Sequence, residues 1–220
     1  MNKAIILLSG GLDSLVSLGI SVKNYDVKLA ITFDYGQKSL KQESEASSKI
    51  CKFYNIEHKI IKLDWLKEVT HTGLVEGTLP EGIQKTSDSV WVPNRNGLFL
   101  NVAACIADGE GFDYIIIGAN KEEGETFPDN TKEFIERVNA EFVYSTKRGV
   151  KVVAPLINYD KNDIVKQAIE YDVPLRFVYS CYSGSQKNCG KCESCVRLKR
   201  ALAANGCSEI MKDIYEDIIG

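Results

Sequence analysis

The stretch Ser9-Gly10-Gly11-Leu12-Asp13-Ser14 constrains this chain more than any other. A short apolar run, Ala4-Ile5-Ile6-Leu7-Leu8, leads into it, and its β-branched content reads as a buried strand. Apolar residues then recur at Leu12, Leu15, Val16, Gly19 and Val22, which is helical spacing. The six residues are therefore a strand-to-helix turn. Such a turn sets free backbone N–H groups and a helix N-terminus at the end of a sheet strand, where an anion binds. Gly10 and Gly11 let a phosphate approach the backbone, and Ser9 and Ser14 add hydroxyl donors. The Asp13 carboxylate would repel a phosphate, so it is expected to hold Mg²⁺ or to orient the turn. The string is not a Walker A loop, because no Gly-Lys-Ser/Thr follows, nor a Rossmann fingerprint, because the third glycine is missing. A plain βα turn of small residues is the competing reading.

The rest of the chain repeats the alternation. Residues 27–33 read as a second strand ending in Asp34-Tyr35-Gly36-Gln37, and 40–54 as a helix with Ala46, Ile50 and Phe53 on one face. Residues 59–63 read as a third strand, 113–118 as a fourth and 150–156 as a fifth, ended by Pro155. Strand, helix, strand in succession predicts an α/β fold with a doubly wound, parallel five-stranded sheet. Ligands of such sheets sit beyond the carboxyl ends of the strands. Residues 70–91 carry Gly73, Gly77, Pro80 and Gly82 with little periodicity, and read as a lid or a surface loop. Asn94 is expected to cap the helix that follows, with Arg95 and Asn96 in position to reach an anion or to stay solvated. The polar loop 119–130 lies where a substrate site is expected, and is otherwise a solvated acidic loop. Asp160 is expected to cap a helix whose first-turn Lys161 opposes the dipole, which points to a phosphate partner or to a plain surface lysine.

With 27 basic and 30 acidic residues in 220, net charge −3, no basic face for a nucleic acid is indicated. The opening apolar run is too short for a signal peptide or a membrane span, so the expectation is a soluble, cytoplasmic protein with no membrane partner. A hydrophobic fraction of 44% suffices for one large domain, predicted as residues 1–175, with an appendage at 176–220 packed on it. The appendage holds Cys181, Cys189, Cys192 and Cys195, spaced C-x7-C-x2-C-x2-C. Four thiolates in short loops suit a tetrahedral, closed and hence structural Zn²⁺, with an iron–sulfur cluster as the rival. Cys51, Cys105 and Cys207 read as small buried residues, and His58 and His71 show no evident partner.

The Ser-Gly-Gly-x-Asp-Ser string resembles the PP-loop of the ATP pyrophosphatases, whose fold is the adenine nucleotide alpha hydrolase type. Over nearly its whole length the chain resembles the 7-cyano-7-deazaguanine synthase family of queuosine biosynthesis. The matching residues are Ser9 to Ser14, Phe33-Asp-Tyr-Gly-Gln37, Val92-Pro-Asn-Arg-Asn96, Gly118-x-Asn120, Phe127-Pro-Asp129 with Glu133-Phe134-Ile135, Pro155-Leu156 with Lys161, and Ser180-Cys-Tyr182 with the remaining cysteines.

The resemblance implies a ligase for which ATP is co-substrate. It converts 7-carboxy-7-deazaguanine and ammonia to 7-cyano-7-deazaguanine through an acyl adenylate and an amide, with a homodimer as the assembly. It assigns Asp13, Arg95 and Lys161 to catalysis, with Asp13 placing Mg²⁺ and the two cations neutralising phosphates. Leu8, Ser9, Gly10, Gly11, Leu12, Asp13, Ser14, Leu18, Phe33, Tyr35 and Gln37 fall to the nucleotide, and Asn94, Asn120, Glu123, Phe127 and Asp129 to the substrate. The family's usual Asp-x-Ser-Gly-Tyr-Pro-Asp-Cys string is here Glu123-Gly-Glu-Thr-Phe127-Pro-Asp-Asn130. That departure bears on the acid pocket and leaves open a ligase that uses another acid or amine, or stops at the amide. A zinc-knuckle module modifying tRNA directly is the reading from a different class, and the negative net charge opposes it.

Overall fold

The computed structural model describes residues 1–79 and 87–216, so part of the 70–91 stretch lies outside the described residues. Five strands, β1 (Lys3–Leu7), β2 (Asp26–Asp34), β3 (Glu57–Lys62), β4 (Tyr114–Ile116) and β5 (Lys151–Val153), form one parallel sheet in the order β3-β2-β1-β4-β5. The helices are α1 (Leu12–Ser21), α2 (Leu40–Tyr54), α3 (Ser87–Val90), α4 (Arg95–Glu110), α5 (Lys121–Gly124), α6 (Lys132–Ser145), α7 (Lys161–Glu170), α8 (Glu193–Ala204) and α9 (Ser208–Ile214). The expected five-stranded, doubly wound α/β architecture is present. β4 and β5 keep only three residues each, shorter than the 113–118 and 150–156 runs that encode them.

Period-two alternation places the core. Ala4, Ile6 and Leu8 face a cluster shared with α1, α2, α7 and α8, whereas Ile5 and Leu7 face a second cluster shared with α4 and α6. Cys181, Cys192, Leu198, Leu202 and Ile214 belong to the first cluster, beside Leu12, Leu15 and Ile164. The cysteine-bearing segment therefore buries its apolar side on the same core as the 9–14 turn.

Helix ends follow from local chemistry. Asp160 caps α7 as expected, its side chain accepting from Asp163 N at 2.9 Å. Asn94 occupies the cap position of α4 but makes no side-chain capping bond. It takes a left-handed φ of 51° and swings its amide over Gly97, where any Cβ would meet Asn94 Oδ1 at 2.2 Å. The chain leaves β1 toward β2 and β3 on one side, then crosses back to β4 on the other. The carboxyl ends of β1 and β4 thus flank the point where strand order reverses, the usual ligand crevice of an open α/β sheet.

Candidate active site

The 9–14 turn leaves β1 at that crevice. Gly10 adopts φ +78° against α2, where an added Cβ would lie 2.6 Å from the Ala46 Cβ, so only glycine fits. The turn is held by its own serines. Ser9 N donates to Ser14 Oγ at 3.3 Å, Gly11 N to Ser9 Oγ at 3.4 Å, and Ser14 Oγ to Gly11 O at 3.2 Å. Two further bonds come from the cysteine segment: Leu12 N donates to Ser180 Oγ at 3.3 Å and Tyr179 N to Gly10 O at 2.9 Å. Leu15 is the first residue of α1 to bond back, to Gly11 O, so the Asp13 and Ser14 N–H groups have no intrahelical acceptor. Gly118, after β4, lies so close that a Cβ there would stand 2.9 Å from Ser14 N.

A cavity of about 230 Å³ opens over the turn. Of the residues expected to bind nucleotide, Leu8, Ser9, Gly11, Leu12, Asp13, Ser14, Phe33 and Tyr35 line it, with Arg95, Glu123 and Lys161. Gly10 stands behind the lining, and Leu18 is wholly buried in the core. Gln37 is buried as well. Its Nε2 donates to Phe33 O at 2.9 Å and Glu43 Oε2 at 3.0 Å while its Oε1 accepts from Tyr35 N at 3.0 Å, so it shapes the turn after β2.

A smaller recess of about 40 Å³ adjoins the first and shares Leu74, Arg95, Glu123 and Tyr182 with it. Phe127 and Asp129 line this recess, with Trp91 stacked on Phe127 at a ring separation of 6.1 Å. Of the other residues expected at the substrate, Asn94 is exposed and lines neither space. Asn120 is fully buried as the cap of α5, its Oδ1 accepting from Glu123 N at 3.0 Å.

Charge is concentrated where the two spaces meet. Lys161 is only 6% exposed, and its Nζ lies 2.6 Å from both Asp13 Oδ2 and Glu123 Oε1. Burial by itself would discharge the lysine, but the two carboxylates outweigh it and raise its pKa. Burial pushes Asp13 up to about 6 against the pull of Lys161, with Glu123 adding to the rise. Burial also pushes at Glu123, but the Lys161 ammonium overcomes it and holds the carboxyl below its usual range. Asp13 Oδ1 is buried without a hydrogen-bond partner. An orphaned carboxylate oxygen at the edge of the cavity fits a hard divalent cation such as Mg²⁺. Arg95 opens α4 near Tyr35, Asp129 and Tyr182, which sustain its charge against burial. Burial pushes Tyr35 up to about 12 and raises Asp129 despite Arg95.

Sequence reasoning did not assign Glu43, Phe99, Ser180 and Tyr182 to the site, yet all four line the larger cavity. Phe99 stacks on Phe33 at 4.0 Å, and Glu43 accepts from Ser39 and Gln37. The Ser180-Cys-Tyr182 string carried a signal for two of them through its place beside the first cysteine. His58 has a partner after all: its Nε2 lies 2.8 Å from Thr32 Oγ1, and burial lowers its pKa. His71 lies 2.9 Å from Glu76 on the surface.

The Sγ atoms of Cys181, Cys189, Cys192 and Cys195 all fall within 4.8 Å of one another, with Cys189 and Cys195 at 3.9 Å. A tetrahedral zinc with bonds of about 2.3 Å spaces its sulfurs by about 3.8 Å, so this donor set fits one metal ion. Hydrogen bonds from Cys192 and Cys195 hold the Cys181 thiol well below its ordinary pKa, which favours a thiolate there.

The profile of the family described as queuosine biosynthesis protein QueC matches residues 3–206. The 7-cyano-7-deazaguanine synthase of Methanosarcina mazei is 50% identical over 214 residues, covering 90% of this chain and 93% of its own. The enzyme of the same name from Carboxydothermus hydrogenoformans is 48% identical over 215 residues, covering 93% of this chain and 100% of its own. Among solved structures, a 4-thiouridine synthetase in complex with RNA and bound ATP superposes with a TM-score of 0.53 at 20% identity. It covers 94% of this chain and 52% of that one, a likeness of fold alone. No described helix is long and apolar enough to cross a membrane. The chain thus belongs to the queuosine biosynthesis protein QueC family, whose relatives bear the name 7-cyano-7-deazaguanine synthase, and is an enzyme of the ligase type.

Proposed function

We propose that this chain makes 7-cyano-7-deazaguanine from 7-carboxy-7-deazaguanine, ammonia and ATP, with the 9–14 turn as the phosphate seat. The observation that carries this is the meeting of the two spaces at Arg95 and Glu123, with Lys161 paired to Glu123 on the larger side, one space edged by free helix-start N–H groups and the other by a flat aromatic pair. The acid's carboxylate oxygen attacks the α-phosphorus and the bond to pyrophosphate breaks, leaving an acyl adenylate. Ammonia adds to the acyl carbon, AMP leaves with its oxygen, and a proton is lost to give the amide. A second ATP activates the amide oxygen in the same way. Loss of AMP and of the amide protons then gives the nitrile.

Each activation gathers negative charge at one phosphorus, and fixed cations lower that barrier most. Lys161 and Arg95 supply the charge, and the Asp13 and Ser14 N–H groups point donors at the leaving pyrophosphate. Asp13 Oδ1 would hold Mg²⁺, which when bound screens the phosphate charge. Phe33, Tyr35 and Phe99 offer an apolar wall for the adenosine. Trp91 and Phe127 offer one for the deazapurine, and Asp129 is an acceptor for its ring N–H groups. The four cysteines would hold a structural Zn²⁺, since sulfurs this close enclose one ion rather than the wider four-iron cluster. The chain then divides into a nucleotide-binding portion at 1–175 and a zinc-binding segment at 176–220.

The departure in the 123–130 loop favours one alternative, a ligase that stops at the amide or uses another acid or amine. Both Glu123 and Asn130 line the larger cavity. Supplying the purified enzyme with the deazaguanine acid, ATP, Mg²⁺ and ammonia separates the two by product mass. Nitrile supports the first reading. Amide with AMP, and no nitrile, supports the second. An absence of pyrophosphate release with any acid refutes both.

A further inference from the structure

The ion network behind the lysine is large for a surface feature and has no part in the chemistry above. Glu122, beside Glu123 on α5, accepts four hydrogen bonds from three donors. Arg197 Nη1 lies 2.9 Å from its Oε1, Arg200 Nη2 lies 2.9 and 3.1 Å from its two oxygens, and Lys161 N lies 3.1 Å from its Oε2. Both arginines belong to α8, the helix that has Cys192 at its N-cap and carries Cys195 in its first turn. Glu193, on the same helix, bonds the second Arg197 nitrogen. The Glu122 and Arg197 side chains are only 16% and 17% exposed. Charges so far removed from water gain little net stability by pairing, so their arrangement calls for a reason other than stability.

We propose that Arg197 and Arg200 are positioning residues for the nucleotide site: through Glu122 they fix the start of α7 and aim the Lys161 ammonium at the phosphate turn. The route is short and contiguous. Glu122 grips the Lys161 backbone at its N–H, and the next residue, Glu123, meets the same lysine at its Nζ. Tyr159 O, just before α7, accepts from Lys121 N at 3.1 Å and ties the two loops a second time. Lys161 is thus held at both ends by adjacent residues of α5, and α5 is held by α8. Without the arginines, Glu122 keeps one donor, its helix is free to shift, and the ammonium loses its fixed aim. A long lysine stem with free rotamers would otherwise lose entropy each time it met a phosphate.

The proposal rests on the reading of Lys161 as a phosphate ligand, and its test separates the two. Dissociation constants for a non-hydrolysable ATP analogue with Mg²⁺, and for the deazaguanine acid, are measured by calorimetry on wild type, Arg197→Gln and Arg200→Gln. Val138→Ala, a core truncation on the far sheet face, serves as the destabilised control. Failure of wild type to bind the analogue overturns the phosphate-site reading itself. With wild type binding, Arg197→Gln is expected to weaken the analogue roughly tenfold, the usual cost of removing a residue that orients a ligand-contacting group. Arg200→Gln, at the more open end of the network, does so by a smaller factor. Acid affinity in both variants falls by a smaller factor than analogue affinity, because Glu123 edges both spaces but its Lys161 partner lines only the larger one. Analogue affinity unchanged in a folded Arg200→Gln, or lost in step with acid affinity as thermal stability falls in Val138→Ala, overturns the positioning role.

Discussion

The two central strands of the sheet end in turns of opposite construction. The turn after β1 is stitched mainly by its own residues: Ser9 and Ser14 bond its backbone, Gly10 supplies the one left-handed residue it needs, and only Tyr179 and Ser180 reach it from afar. The loop after β4 is held from outside, by Arg197 and Arg200 some 75 and 78 residues away and by Lys161 some 38 to 39 away. Both face the same cavity. A largely self-supporting turn suits a part of the ligand that does not vary, the phosphate of the proposed reading. A loop braced by distant side chains can change its residues, and with them the group it receives, without loss of the phosphate seat.

That contrast can be broken most directly where the two meet. Lys161→Ala removes the shared cation and is expected to slow pyrophosphate release roughly 10²–10³-fold, the loss typical of one preorganised charge-stabilising donor. It also leaves Asp13 and Glu123 buried without their counter-ion, so a lower thermal midpoint should accompany it. A rate within a few-fold of wild type would detach the lysine from the phosphates. Gly10→Ala attacks the self-stitched turn alone. Its Cβ would stand 2.6 Å from Ala46 in a left-handed backbone, a cost of about 1–3 kcal/mol. Nucleotide affinity should fall while acid affinity holds, as titration of each ligand will show.

Acidity sharpens the comparison. The folded-state pKa of Asp13 is raised from the ordinary carboxylate value to about 6, mainly by burial. Its contribution to stability therefore favours the fold at low pH and is lost as pH rises through about 6. Cation binding needs the charged form, so Mg²⁺-dependent nucleotide affinity should fall as pH drops through about 6. An affinity flat across that window would leave Asp13 no cation to hold. The smallest effect belongs to the loop side. Trp91→Ala removes one face of the aromatic pair and should raise the KM for the acid about three- to tenfold, the range of one aromatic contact, with the KM for ATP unchanged.

The alternation of strand and helix was legible because each element carries its period locally. The β1 run alternates between two buried faces, and the apolar residues of α1 recur at helical spacing within one cluster. The 9–14 turn was equally legible, since glycine and serine act through their own backbone, and so was the four-cysteine cluster, whose spacing brings the sulfurs together. Other assignments depend on contacts that no short string encodes. Gln37 and Asn120 look like ligand-binding side chains in the sequence, but one shapes the turn after β2 and the other caps α5. Glu43 and Phe99 line the cavity from helices whose rotation only the folded core sets. The same holds for the buried meeting of Asp13, Lys161 and Glu123, which come from three elements spread over 148 residues. The sequence by itself determined the fold class, the glycine-serine turn after β1 and the four-cysteine cluster, because hydrophobic period, backbone conformation and residue spacing are short-range properties. The tertiary structure alone decided which charges share a buried space and which arginines stand behind them, because burial and pairing depend on how distant segments meet.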